Sequence, residues 1–380
     1  MKPILHATLE GLDARGAARS RRVVILGGAG AVGMRIARLI GQLHDVELLI
    51  AGRDYGRATQ FADELAEGGV SARPIGVEDL AGLLAREKPA LLIDASASFR
   101  GRDLAVPRAC IRARVPYLDT AADAPFLLSI GTLNQAAIAA GVPILAGACI
   151  TPCVTFAAID AIAASLATVE GVRIVICPGN QQPFGPASYH AMLARTGKRF
   201  RWRRRGKWRS AHMWQHASEE MLPEIGWRVV CAFETADIAL LAERWPKLRE
   251  ATVHAGLEIG ALQASLRMLS WVARFGVNLA RFATVLEALA RTLGHQGTKR
   301  FVLRVALEGR SGRDLVERSW TLLAEDGGHL AATPAISLAR RILRGPPVHP
   351  GARIASVSLS DIRAELMASG IDIRMTETVV

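Results

Sequence analysis

Residues 23–54, VVILGGAGAVGMRIARLIGQLHDVELLIAGRD, constrain this chain more than any other stretch. An apolar run at 23–26 leads straight into Gly28-x-Gly30-x-x-Gly33. An amphipathic pattern follows (Met34, Ile36, Ala37, Leu39, Ile40), and a second apolar run at 46–50 closes the unit. That order is strand, glycine turn, helix, strand. The first glycine permits the tight turn, the second lets the backbone approach a pyrophosphate, and the third lets the helix pack on the strand. The helix N-terminus then offers free N–H groups and partial positive charge to phosphates. A dinucleotide is therefore expected on Gly28, Ala29, Gly30, Ala31, Val32 and Gly33.

The end of the second strand bears on which dinucleotide. A carboxylate about 20 residues past the glycines usually accepts the ribose 2′-OH of NAD. Here the positions read Ala51-Gly52-Arg53-Asp54. A guanidinium at Arg53 suits the 2′-phosphate of NADP and can stack on adenine. Asp54 is the acid displaced by one position, so NAD stays open as the alternative.

A chain of 380 residues, half of them apolar, is too long for one such unit and fits two domains. The net charge of +12 resembles a nucleic-acid signal until it is located. Residues 198–209, KRFRWRRRGKWR, hold eight basic residues and no acid, which leaves +4 for the rest. The five cysteines (Cys110, Cys149, Cys153, Cys177, Cys231) form no paired framework, which points to a reducing, cytoplasmic setting. Cys149 and Cys153 have no second ligand pair nearby, and His212 and His216 lack the glutamate of HExxH, so no metal is expected. Residues 1–22 contain no apolar core segment, so no signal peptide is expected.

After the glycine unit, helical and apolar strand patterns alternate. Helices are expected at 55–67, 80–85, 104–113 and 127–140, and strands at 90–95, 116–119 and 143–147. This predicts an α/β fold with a Rossmann doubly wound parallel sheet, ligands lying at the carboxyl ends of its strands. Beyond Pro152 a helix at 154–166 precedes runs with alternating polarity: 172–177, 200–204, 227–233, 301–308 and 319–324. Those suggest an antiparallel or mixed sheet in a second, α+β substrate domain. Helices return at 333–343 and 359–368. The expected division is 21–150, 151–331, and a C-terminal part, 332–380, whose helices return to the first domain.

Residues 256–293 are strongly apolar, yet Arg267, Arg274 and Arg281 recur every seven residues and form one narrow stripe. That charge argues against a spanning helix. A buried helix or helical pair, in the substrate domain or a homodimer interface, is one reading; a membrane-surface or acyl-chain site is the other. The basic stretch likewise reads as an exposed hairpin turning at Arg205-Gly206-Lys207, or as an anionic-membrane contact. Trp202 and Trp208 satisfy a nucleic-acid reading only superficially. No nucleic-acid partner is expected.

Several segments now resemble a known family. They are VVILGGAGAVG, AGRD, LLIDASASF, ACIRARVPYLDTA, GVPILAGACITPCVTFAA, RFRWRRRGKWR with the run from Trp227, and TPAISLARRILRG with the Gly351 region. In order and spacing they resemble the saccharopine dehydrogenase-like oxidoreductases. The resemblance implies an NAD(P) Rossmann domain, a mixed substrate domain, and hydride transfer between an imine and a secondary amine, or a related C=C or C=O group. Other members resemble lipid-directed reductases. The chain departs where the family's Asp-Pro-Gly is replaced by Ile150-Thr151-Pro152, which removes a substrate-facing acid.

Asp119, at the carboxyl end of a strand, is the candidate proton donor, with a helix cap or loop carboxylate as its other reading. Tyr117, two residues earlier and on the same face, is the second candidate. Ala95 and Ser96, after the fourth strand, are expected beside the cofactor, as the resemblance implies. Two function classes remain: an NADP-dependent oxidoreductase acting on a small molecule, and a non-catalytic NADP-binding regulatory protein. Carboxylate-binding arginines near the cleft would favour the first.

Overall fold

Apolar runs without alternation suit strands covered on both faces, and the first sheet is built from such runs. The computed structural model of the chain describes residues 21–379 except 97, 182–185, 223–224, 278, 280–295 and 313. Its first six strands are β1 (Arg21–Leu26), β2 (Val46–Ala51), β3 (Ala72–Ile75), β4 (Leu91–Asp94), β5 (Tyr117–Asp119) and β6 (Pro143–Ala146). They lie side by side in the order β3-β2-β1-β4-β5-β6, all parallel. Between them run α1 (Ala31–Ile40), α2 (Tyr55–Glu67), α3 (Leu80–Glu87), α4 (Ala105–Ala113), α5 (Ala124–Ser129) and α6 (Asn134–Ala140). Val23, Ile25, Leu48 and Ile50 face one core, while Val24, Leu26, Leu49 and Leu92 face the other. The chain winds outward from β1 to β3 and then crosses back to β4. Strand order therefore reverses between β1 and β4, and a crevice opens at their carboxyl ends.

The helix expected at 127–140 is two helices joined by a tighter turn at 130–133. Asp123 starts the first by accepting the Phe126 N–H (3.2 Å), four residues before the expected start.

Past α7 (Thr155–Ala163) the chain enters a mixed sheet. Its strands are β7 (Thr168–Pro178), β8 (Arg199–Arg204), β9 (Lys207–His212), β10 (Ser218–Leu222), β11 (Gly226–Ala232), β12 (Glu250–Ala255), β13 (Phe301–Ser311) and β14 (Asp314–Ala324). β12 pairs parallel with β7, the other pairings are antiparallel, and the β8–β9 hairpin branches from β12. Helices α8 (Pro186–Arg195), α9 (Ala236–Arg244) and α10 (Gly260–Ala273) accompany it. The tail divides between the two sheets. α11 (Gly327–Arg344) packs on α1, and β15 (Gly351–Ile354) extends the first sheet beside β6. After α12 (Leu359–Ala368), β16 (Ile373–Val379) returns to the second sheet beside β14. α11 begins six residues before the expected 333, capped by Asp326 on the His329 N–H (3.0 Å), and carries Pro334 within it.

The exits of β5 and β6 are tied by one residue. Asp119 is fully buried, and its Oδ1 accepts the N–H groups of Ala121 (2.9 Å) and Gly147 (2.8 Å). Its backbone carbonyl accepts the Ala148 N–H (2.8 Å). Burial pushes the Asp119 carboxyl from its ordinary 3.8 up to about 7, although both N–H bonds favour the anion. Burial and the Asp119 and Asp94 carboxylates push the Tyr117 phenol up as well.

A raised carboxyl pKa has a definite sign for stability. Between 3.8 and about 7 the folded chain holds a proton that the unfolded chain has released. That contribution is complete below the unfolded value and is lost as the pH rises towards 7. Asparagine can accept the same two N–H bonds without titrating. The Tm of wild type relative to Asp119→Asn should therefore fall by several degrees from about pH 4 to pH 7, then level off. Parallel Tm profiles for the two proteins would show that the carboxyl does not titrate in this window.

Candidate active site

Close backbone contacts shape the turn after β1. Gly27 adopts φ +70°, and a Cβ there would sit 2.8 Å from the Ala95 carbonyl oxygen, so the turn rests on the exit of β4. Gly27 and Gly28 both donate their N–H to the Ala51 carbonyl (2.7 and 3.2 Å), which pins the turn to the end of β2. A Cβ on Gly33 would lie 2.2 Å from the Gly27 oxygen, so α1 is seated directly on the turn. Gly30 is different: its Cβ would meet only the Gly27 oxygen, at 3.0 Å, and otherwise open space. Gly30 is the N-cap of α1 and brings no side chain to the first-turn N–H groups, leaving those of Ala31, Val32 and Gly33 for a ligand. This cradle fits a pyrophosphate. The conformation-determining Gly27, one residue ahead of the expected motif, escaped the sequence reading.

At the end of β2, Arg53 is exposed and has no ion pair among the described residues. Asp54 has a local job, as the N-cap of α2, where it accepts the Arg57 N–H (3.0 Å). The Arg57 guanidinium reaches back to the Ala29 carbonyl (3.3 Å), so a second cation stands beside the glycine turn. Its signal in the sequence was its place four residues after Arg53, in the first turn of α2.

At the end of β4, Ala95 is buried and donates to the Leu26 carbonyl (2.9 Å). Ser96 is half-buried and donates its N–H to Asp94 Oδ1 (3.0 Å), and its Cα would lie 2.9 Å from a Cβ on Gly27. Asp94 is itself buried and paired with Arg102 (3.0 Å), whose guanidinium lies 4.8 Å over the Phe99 ring. Neither Asp94 nor Arg102 was anticipated.

Asp119 and Tyr117 do not reach the crevice. Both are fully buried, with β5 lying between β4 and β6, so the strand-end carboxylate turns into the loop it ties. The strand-end rule gives the position of a residue but not the direction of its side chain. Other polar groups follow the same strand ends at later positions. Exposed Arg100 follows β4, Asp123 follows β5, and half-buried Cys149 follows β6. From the second domain come Arg195, at the end of α8, and Glu234, which form an ion pair. Burial and the Arg100 charge disfavour the Arg195 cation, and the Asp123 charge favours it, so these groups share one neighbourhood. Burial pushes the Cys149 thiol well up, and its sulfur donates to the Thr151 carbonyl (2.7 Å), an inert arrangement for a nucleophile. No metal-binding group of His, Cys, Asp and Glu occurs among the described residues.

Residues 23–145 match the family model described as the saccharopine dehydrogenase NADP binding domain. Among solved structures, the apo saccharopine dehydrogenase (L-Glu forming) from Saccharomyces cerevisiae superposes with a TM-score of 0.66 at 14% identity. That alignment covers 94% of this chain and 100% of the yeast one. DAP dehydrogenase of C. glutamicum, in complex with DAP, aligns over 92% of this chain and 98% of its own, at 16% identity and a TM-score of 0.47. No curated protein matches in sequence. Residues 23–145 are thus an NADP-binding domain of the saccharopine dehydrogenase type, and the fold of the chain is that of saccharopine dehydrogenase.

Proposed function

We propose that the protein is an NADPH-dependent oxidoreductase that moves hydride between the nicotinamide and the C=N bond of a small, carboxylate-bearing substrate. The observation that carries this reading is the pairing of two cationic sites on one crevice. Arg53 and Arg57 stand beside the glycine turn, and Arg100 and Arg195 stand beside the exits of β4 to β6. The first pair suits the 2′-phosphate of NADP; in the second, Arg195 is held by Glu234, and Arg100, with no ion pair among the described residues, suits a substrate carboxylate. A regulatory protein that only senses the nucleotide has no use for the second pair.

NADPH supplies the hydride when bound. The chain's own part is to hold the pyrophosphate on the N–H groups of α1, the 2′-phosphate on Arg53 and Arg57, and the substrate carboxylate on Arg100. A protonated imine accepts hydride without further proton transfer, so the reading does not require Asp119 at the reacting atoms. Incubating the chain with NADPH and a panel of keto acids plus amines, and following loss of the reduced nicotinamide, tests the reading directly. No turnover with any carboxylate-bearing imine, alongside tight NADPH binding, would favour the regulatory class instead.

Gly30→Ala places a methyl group in the space open to the cofactor while touching only the Gly27 oxygen. It should keep Tm within a few degrees of wild type and weaken NADPH at least about tenfold by calorimetry. Gly33→Ala, whose methyl group would collide with that same oxygen, should lower Tm as well. Unchanged NADPH affinity in Gly30→Ala would displace the cofactor from this turn.

Removing Arg53 should weaken NADPH by about 1.5–3 kcal/mol, the size of one charge-assisted contact, and leave NADH nearly unchanged. Arg57→Ala should show the same selectivity, smaller where its bond to Ala29 persists. Equal losses for NADPH and NADH in both variants would refute the 2′-phosphate role.

On the substrate side, Arg100→Ala should raise KM about tenfold or more for a carboxylate substrate, with NADPH affinity intact. The corresponding ester should respond equally weakly to wild type and variant. A KM that does not move assigns carboxylate recognition elsewhere.

A further inference from the structure

The second domain carries a surface that the nucleotide crevice does not use. On α10 and the turn just after it, Met268, Trp271, Val272 and Phe275 are 66%, 57%, 44% and 85% exposed. Their spacing places them on one stripe, about 10 Å long at the rise of an α-helix. The other side of α10 is already covered. Gln263, Leu266, Ser270 and Ala273 are buried, and the Ser270 hydroxyl donates to the Met213 carbonyl (2.8 Å). The helix thus has two apolar faces and covers one of them within the chain.

The exposed stripe runs into positive charge. The Arg274 guanidinium lies 4.9 Å over the Trp271 ring and donates to Gln215 Oε1 (3.3 Å). Burial, then the charges of Arg274, His216 and Arg199, disfavour the His212 cation, so Arg274 stands next to the open end of the β8–β9 hairpin. There His212 pairs with Arg199, Ser210 with Arg201, and Trp208 with Arg203. Strand alternation puts all six on one face. Phe200 and Trp202 fill the opposite, buried face, and Arg201 stacks 5.4 Å over the Trp208 ring. Among the described residues, only Arg204 of this hairpin reaches a carboxylate, Glu250, at 3.8 Å. Arg199, Arg201 and Arg203 therefore keep their charge uncompensated by carboxylates.

We propose that the α10 stripe and the outer face of the β8–β9 hairpin together dock the protein on an anionic lipid bilayer. Met268, Trp271, Val272 and Phe275 enter the boundary between headgroups and acyl chains, and the hairpin arginines meet the lipid phosphates. Charge selects this occupant. A two-fold contact between copies through the same face would bring both arginine hairpins into one interface. A nucleic acid would satisfy the arginines but leave the Met, Val and Phe side chains without a partner. The depth is shallow, since no helix among the described residues is long and apolar enough to cross a membrane.

The test is vesicle flotation of the full chain with phosphatidylcholine alone and with added phosphatidylserine, at low and high salt. Wild type should float with the anionic vesicles and bind at least about tenfold less to neutral ones or at high salt. Trp271→Ser with Phe275→Ser, and separately Arg199→Glu with Arg201→Glu, should each cost about tenfold or more. All four side chains are exposed, so Tm and NADPH affinity should match wild type. Absence of flotation, equal binding to neutral vesicles, or undiminished binding of the Trp271/Phe275 variant overturns the proposal. So does a dimer in sedimentation velocity that this variant dissociates, because the stripe would then be covered by a second copy. A salt-dependent shift of DNA lost in the arginine variant, without vesicle binding, overturns it equally.

Discussion

The contact between α1 and the turn that precedes it governs the architecture of the first domain. With hydrogen at Gly33, the helix can sit on the Gly27 carbonyl at a separation that any side chain would forbid. Gly27 in turn rests on Ala95 and Ser96, and its N–H is held by Ala51. Three strand ends, those of β1, β2 and β4, are therefore locked to one helix terminus by backbone contacts alone. The N–H groups of that terminus face the point where strand order reverses, and phosphate binding follows from the packing without any charged side chain. In the proposed function, Arg53 and Arg57 add selectivity to a site whose position the glycines have already set.

Around this point the chain buries carboxylates that look catalytic and serve as ties. Asp94 joins Ser96 to Arg102, and Asp119 joins the loops after β5 and β6. Asp237, fully buried on α9, bonds to Thr155 at the start of α7. The Thr155 hydroxyl has one proton, and it also lies 2.8 Å from the Pro152 carbonyl. Burial pushes the Asp237 carboxyl up, while its bonds to the Thr155 and Thr235 hydroxyls act the other way. A buried carboxyl that keeps its proton is a hydrogen-bond donor and acceptor in a place where an ion would cost several kcal/mol.

Much of the first sheet was legible because its strands are buried on both faces and its helices are strongly periodic. Helix 55–67 and helix 359–368 coincide with α2 and α12. Less was legible where strands are short or depend on a partner. β3 (ARPI) and β15 (GARI) have two apolar residues or fewer beyond alanine and exist as edge strands beside β2 and β6. β12 (EATVHA) is defined by its parallel pairing with β7, a contact across more than seventy residues that no local pattern announces. At the site, the glycine motif and Arg53 were visible as types at fixed offsets. Arg57, Arg100 and Arg195 were not, because nothing in their neighbours distinguishes them from solvated arginines until the fold brings them to the crevice. The arginine stripe expected over 256–293 is described only in part: Arg267 and Arg274 are exposed on and just after α10, and Arg281 lies outside the described residues.

The net charge of +12 also takes on a different meaning once it is placed. Many arginines of the two sheets are matched by carboxylates. Arg22 and Arg73 share Glu47 and Glu87 across β1, β2 and β3, and Arg173 and Arg304 share Glu220 on the second sheet. Such pairs contribute little to the net charge and modestly to stability at a partly exposed surface. Among the described residues, the excess collects where no carboxylate answers it: beside the glycine turn, and on the outer face of the β8–β9 hairpin next to the apolar stripe of α10. Uncompensated guanidinium groups repel one another and are costly to keep together, so their persistence at two separate places argues for two separate anions. In the proposed function one is the 2′-phosphate of the cofactor, confined to a site that the backbone has already shaped. The other must be broad, because the hairpin offers a row of cations and no pocket, and it must tolerate apolar side chains beside it. A lipid headgroup layer has both properties, which is why the charge distribution, rather than the total, bears on the proposed docking.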